Sequence, residues 1–216
     1  LPQSETPNDV SELMHSFTTE RLLIRPLLAD DEDFFCYQLT NEKVMRHTGG
    51  SLSSEEANKA FQRYLRANQR AINGGKKSVI TWAIVCLKSE TIIGTQTLSF
   101  LILPHNAITM NETEVTDIKQ AEIGIMLSPK ANGKLFPEEA MGALMEYAFT
   151  QLKISRINAF YNSRNLATKR FVNKLGFNPA TAVNDHSKSI DHTHYQYFDH
   201  EQWLQQLITK VFPATK

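Results

Sequence analysis

The sequence predicts a single α/β domain built on a mixed sheet, and three observations lead there. Strand-like and helix-like apolar periods alternate along the 216 residues. Capping and glycine signals punctuate the helical segments at their ends. A strand–loop–helix–strand unit runs without interruption from "AEIGIML" at 121–127 to "SRINAFYN" at 155–162.

The elements follow in order. Residues 1–16 are polar and proline-containing, and are expected to form a flexible arm ahead of a domain over 17–210. "RLLIRPL" at 21–27 alternates and then meets Pro26, as a strand near a sheet edge does. Asp30, Asp31, Glu32 and Asp33 suit the positive end of a helix continuing through "DFFCYQLTN". A second helix starts at Ser53, where Glu56 completes a capping box, and stops at Gly74-Gly75. Its apolar face carries Ala57, Ala60, Phe61, Tyr64 and Leu65.

"VITWAIVCLK" and "IIGTQTLSFLIL" read as a hairpin joined by "SET". The polar stretch 104–120 is long for a loop inside a domain, which marks it as functional or disordered. A helix is expected from Pro137 to about Lys153, with Phe136, Ala140, Leu144, Ala148 and Leu152 on one face. "NLATKRFVNKLG" is a further helix, with Asn165 at its N-cap and Gly176 just past its end. "HTHYQYF" closes the sheet, and "HEQWLQQLI" is a terminal helix.

Composition excludes several function classes. Lys plus Arg equals Asp plus Glu at 23 each, so no overall field favours nucleic acid. The longest apolar run is strand-sized, and no basic-then-apolar leader pattern opens the chain. Cys36 and Cys86 lack metal or disulfide spacing and read as reduced core thiols, which fits a cytoplasmic setting. The histidines at 186, 192, 194 and 200 match no common zinc pattern, so no metal is expected.

"SPKANGKLFPEEA" at 128–140 joins a strand to a helix. Gly133 allows close backbone approach, Lys130 and Lys134 add charge, and Pro137 is tolerated in a first helical turn. A phosphate cradle and an ordinary basic turn both fit this pattern. Neither the Walker loop nor the dinucleotide fingerprint is present.

The ordered set "EIGIML", "NGKLF", "PEEA", "NLAT" and "NKLGF" resembles the core of the GNAT superfamily of acetyl-CoA-dependent N-acetyltransferases. The similarity is greatest to the branch of ribosomal-protein N-terminal (alanine) acetyltransferases. Upstream, "TERLLIRPLLADDEDFFCYQLTNEKVMRHTGG" and "TWAIV…TIIGTQTL" also resemble that branch, so the likeness spans about residues 17–203. It implies the GNAT fold, with a splayed central sheet and acetyl-CoA as cosubstrate. The family's pyrophosphate loop falls on Lys130, Ala131, Asn132, Gly133, Lys134 and Leu135, with Phe136 following; Leu135 stands where the family has Gly or Ala. The resemblance assigns the backbone of Ile125, Met126 and Leu127 to cofactor contact, facing residues 158–160. Asn165 matches a cofactor-contacting asparagine and is equally a helix N-cap.

Glu122 matches a glutamate that some family members use as general base. An amine with a pKa of about 8–10 must lose a proton before it attacks a thioester. A rim carboxylate that only orients substrate is the other reading. The family's acid tyrosine falls on Val172, which leaves Thr168 as the nearest hydroxyl, with Tyr161 and Tyr195 as alternatives. Strand amides near Met126 are expected to receive the oxyanion. No cysteine is placed to carry an acyl group, so attack is expected to be direct. The acceptor pocket is expected from 30–72, 104–120 and 184–195.

The implied partners are acetyl-CoA and an amine acceptor, a peptide N-terminus or a small molecule, with no nucleic acid and no membrane. The protein is expected to be a monomer or homodimer. A catalytically silent acyl-CoA-binding module and a purely structural domain are the alternatives.

Overall fold

In a computed structural model, residues 14–101, 119–131, 134–179 and 193–211 are described. Eight strands form one sheet in the order β1-β2-β3-β4-β5-β6-β8-β7. They are β1 (Phe17–Thr18), β2 (Leu22–Pro26), β3 (Val79–Cys86), β4 (Thr91–Leu101), β5 (Gln120–Leu127), β6 (Arg156–Asn162), β7 (Asn178–Pro179) and β8 (Thr193–Asp199). Every neighbouring pair is antiparallel except β5 with β6. The helices are α1 (Glu32–Thr40), α2 (Glu42–Met45), α3 (Ser54–Ile72), α4 (Phe136–Thr150), α5 (Leu166–Leu175) and α6 (His200–Val211).

Local chemistry accounts for the helix ends. The Ser53 hydroxyl accepts the Glu56 amide at 3.3 Å, and the Glu56 carboxylate accepts the Ser53 amide at 2.9 Å. Gly74 has φ +78° and lets the amide of Gly75 return to the Arg70 carbonyl at 2.8 Å. At α5 the Asn165 side chain accepts the Thr168 amide, and Gly176 closes the helix at φ +89°. The four-residue α2 escapes sequence reading because it is too short to show a period; its only signal is Asn41, whose side chain accepts the amides of Lys43 and Val44.

Two apolar layers sandwich the sheet. On one face α4, α5 and α6 cover Leu22, Ile24, Ile80, Trp82, Ile84, Leu98, Ala121, Ile123 and Ile157. On the other, α1 and α3 bury Leu27, Phe35, Leu39, Ala57, Ala60 and Phe61, with Met126 packed against them. Asn68, 1% exposed, joins α3 to β3 by bonding both the carbonyl and the amide of Thr81, at 2.7 and 2.9 Å. Cys36 and Cys86 are free thiols, half-buried rather than fully enclosed as expected.

The expected arm overlaps the described residues only at 14–16. There His15 bonds the Tyr147 hydroxyl, and its carbonyl accepts the Trp82 indole N–H at 2.7 Å. Most of the expected 104–120 loop and of the 184–195 segment lies outside the described residues.

Candidate active site at the parting of two strands

Strands β5 and β6 share three register pairs, Gln120↔Arg156, Ala121↔Ile157 and Glu122↔Asn158, and then part. Beyond that point β5 pairs only with β4, and β6 only with β8. The sheet is therefore splayed, as the resemblance implies.

Ladder parity decides which backbone groups line the gap. The Ser128 amide donates to the Ile93 carbonyl at 2.8 Å, in register with Thr95↔Met126 and Thr97↔Gly124. Hydrogen-bonded pairs alternate in an antiparallel ladder, so Met126 and Gly124 direct their amides and carbonyls at β4, while Ile125 and Leu127 direct theirs into the gap. On the far side the His200 amide bonds the Ser155 carbonyl at 3.0 Å, which leaves Phe160 and Asn162 facing the gap. The expectation for Met126 needs correction here: its carbonyl faces β4 and also accepts the Gln38 side chain at 3.1 Å. Gap-facing amides belong to Ile125 and Leu127.

Side chains alternate as well. Met126 packs against the α1–α3 layer, so Gly124 and Glu122 share that face. Glu122 is half-buried, and desolvation raises its carboxyl above the usual range. Beside it Asn158, 1% exposed, donates to the Gln120 side chain at 3.2 Å and accepts the Tyr195 hydroxyl at 2.7 Å. Tyr195 stacks on Phe160, with ring centroids 4.8 Å apart. A carboxylate, two amides and a phenol thus meet at the vertex of the gap.

Gln38 was not legible as a site residue. It is fully buried on α1, donates to Met126 and accepts the Thr95 hydroxyl at 2.9 Å, which fastens α1 to β5. Its one signal is a glutamine inside the apolar run "FFCYQL". Gly94 was also missed. A bulge between β3 and β4 places it where an added Cβ would lie 2.5 Å from the Met126 carbonyl.

The turn after β5 begins with a 3-10 segment, Pro129–Ala131, and leads into α4. Asn132 and Gly133 lie outside the described residues. Lys130 and Lys134 are exposed. Leu135 takes the left-handed conformation, φ +59° and ψ 17°, with its side chain 55% exposed. Phe136 is buried in the core, so only its backbone can serve the turn. Among the described residues, no side-chain cap closes this helix end, whose N-cap is Leu135. Its amides are of the kind that bind phosphate.

At α5, Asn165 spends its side-chain oxygen on the cap, while Thr168 is half-buried in the first turn. Val172 is fully buried among apolar side chains. Tyr161 is buried on the α4–α5 face, away from Tyr195, and desolvation raises its pKa. His194 lies against Tyr161, His200 against Phe149 and Trp203, and His15 against Tyr147, so these three histidines do not converge. Among the described residues, no group of three or more His, Cys, Asp or Glu side chains could hold a metal ion, and no helix is long and apolar enough to cross a membrane.

The family model for the acetyltransferase (GNAT) domain matches residues 21–178. An uncharacterized N-acetyltransferase, p20 of Bacillus licheniformis, is 23% identical over 82% of this chain and 89% of its own. Among solved structures, a spermidine N-acetyltransferase from Vibrio cholerae in complex with CoA and spermine aligns with a TM-score of 0.64. That alignment has 16% identity and covers 86% of this chain and 99% of the other. RimL, a ribosomal-protein α-N-acetyltransferase in complex with coenzyme A, also aligns at 0.64 with 16% identity, over 85% and 97% of the two chains. At such identities the structural likeness speaks for the fold.

Proposed function

Because the chain belongs to the GNAT acetyltransferase family, acetyl-CoA is its cosubstrate, and we propose that it acetylates a primary amine, a protein N-terminus or a small-molecule amine, by direct attack in a ternary complex. The observation that carries this reading is Glu122. It is half-buried at the vertex where β5 and β6 part, and burial alone raises its carboxyl pKa. Such a carboxylate is a better proton acceptor than an exposed one.

In this reading the amine enters from the α1–α3 face and yields its proton to Glu122, directly or through water. Its lone pair then attacks the thioester carbonyl. The gap-facing amides of Ile125 and Leu127 donate to the oxyanion that forms. The thiolate that departs has a conjugate-acid pKa of about 8.5, so it leaves with little assistance. Thr168 is the hydroxyl of α5 that would donate a hydrogen bond to the thiolate, which takes its proton from solvent. The turn at 130–136 would hold the pyrophosphate by its amides, with Lys130 and Lys134 supplying charge and Asn165 lying further along the cofactor's path.

Both acceptor classes rest on chemistry and on the structural neighbours, one a spermidine acetyltransferase and one a ribosomal-protein acetyltransferase. Thiol-release kinetics with acetyl-CoA against polyamines, amino acids and N-terminal peptides test the reading. Turnover with one class identifies the acceptor. Tight CoA binding with no thiol release across the panel favours an acyl-CoA-binding module, a reading that the fully buried Val172 supports. Gly133→Val is expected to weaken CoA binding without unfolding the chain, and unchanged affinity would remove the pyrophosphate turn from the proposal.

A further inference from the structure

The turn into α4 poses two physical problems. Leu135 is left-handed, a conformation that costs a non-glycine residue about 1–2 kcal/mol and persists only where surrounding contacts impose it. Glu138 and Glu139 place two carboxylates in the first turn of α4, where they compete electrostatically with an anionic ligand.

Arg21, at the entrance to β2 and more than a hundred residues away in sequence, answers both. Its guanidinium lies over the Phe136 ring, 4.5 Å from the centroid. From there Nη1 donates to the Lys134 carbonyl at 2.9 Å, immediately before the left-handed residue. Nε donates to Glu139 at 2.6 Å, and Nη2 lies 2.5 Å from the same carboxylate oxygen. The other Glu139 oxygen accepts the Arg21 amide at 3.1 Å and the Thr19 hydroxyl at 2.5 Å. Burial pushes the Glu139 carboxyl upward, but the bonds from Thr19 and Arg21 outweigh it and hold the group below its ordinary range. Lys174 stands 3.6 Å from Glu138.

We propose that Arg21 is a positioning residue for acetyl-CoA, holding the 134–136 backbone in its binding shape and neutralising Glu139 beside the pyrophosphate. This rests on the reading of 130–136 as the pyrophosphate turn. Arg21 does not touch the reacting atoms. It acts through Lys134, Phe136 and Glu139. A lysine cannot reproduce the action, because one ammonium cannot stack on Phe136 while donating in two fixed directions.

The test is steady-state thiol release with acetyl-CoA and amine varied separately, alongside thermal melting. Arg21→Ala and Arg21→Lys are each expected to raise the KM for acetyl-CoA about tenfold, the scale of one lost charge-assisted contact. The kcat and the amine KM should stay within about twofold. Adding Leu135→Gly to Arg21→Ala should recover part of the loss, because glycine adopts the left-handed conformation without a clamp. An unchanged acetyl-CoA KM in both single variants overturns the proposal. So does a parallel loss of kcat and amine affinity that tracks the melting temperature. If Gly133→Val also leaves the acetyl-CoA KM unchanged, the turn itself does not hold the pyrophosphate; if Gly133→Val weakens binding and the Arg21 variants do not, only Arg21's role fails.

Discussion

Glu122 stands directly opposite Asn158 in the last register pair that β5 and β6 share, and the strands separate immediately beyond it. The pair places a half-buried carboxylate next to an amide whose two polar atoms are both engaged. Charge, rigidity and an open backbone edge therefore coincide at one point.

Replacing Glu122 by Gln is expected to lower kcat by about 10²–10⁴-fold, the contribution of a positioned general base. In the unaltered protein, kcat/KM should rise with pH as the carboxyl deprotonates, with its midpoint above the ordinary glutamate range because burial raises it. A pH–rate profile on both proteins checks this, and an acid limb that survives in Glu122→Gln would refute the assignment.

The same shift has a stability consequence of definite sign. A carboxyl whose pKa is raised by folding binds its proton more tightly in the native state. Its favourable contribution is complete below the unfolded pKa and is lost as pH rises through the folded one. Glu122→Gln should thus melt higher than the parent at pH 7, and this advantage should shrink toward zero below about pH 4.

Asn158→Ala removes an amide that is 1% exposed and bonded at both ends. Leaving Gln120 and the Tyr195 hydroxyl without that partner should cost about 2–3 kcal/mol, or roughly 5–10 °C in melting temperature. Tyr195→Phe, which removes one of the two bonds, should cost about half as much. Thermal denaturation of the two variants measures the ratio.

Gly94→Ala should destabilise the fold by about 2–3 kcal/mol. Its new methyl would lie 2.5 Å from the Met126 carbonyl, a backbone atom that cannot rotate aside. Because Met126 precedes the gap-facing Leu127, the acetyl-CoA KM should rise with the loss of stability. Unchanged melting would show that the bulge has room.

Leu135→Gly should be neutral to stabilising, by up to about 1 kcal/mol. Relief of the left-handed strain exceeds the entropy that glycine adds to the unfolded chain, and the exposed leucine gives up little packing. A clear loss of stability in chemical denaturation would mean that the leucine side chain holds the turn.

Much of this architecture is legible in the amino-acid sequence because its causes are local. Ser53 and Glu56, Asn165 and Thr168, and Gly176 act within a few residues of themselves, so a helix start or stop is written where it happens. Strand character in "AEIGIML" and "SRINAFYN", and the resemblance carried by the motifs between them, likewise need only neighbours in order.

Other features depend on partners far along the chain. The assignment of Met126 to the gap failed because the direction of a backbone amide follows from ladder register with β4, and no property of the methionine encodes that register. Gln38 and Arg21 carry no sequence signal of their partners, because their roles appear only where folding sets them against Met126 and against Lys134 and Glu139. Sequence by itself determined the longer elements, their order and the glutamate at the start of the motif, though not the short α2, β1 and β7. Tertiary structure alone decided which strand edge stays open, which amides face it and that Arg21 meets Lys134 and Glu139, because each is a relation between segments that only the closed sheet brings together.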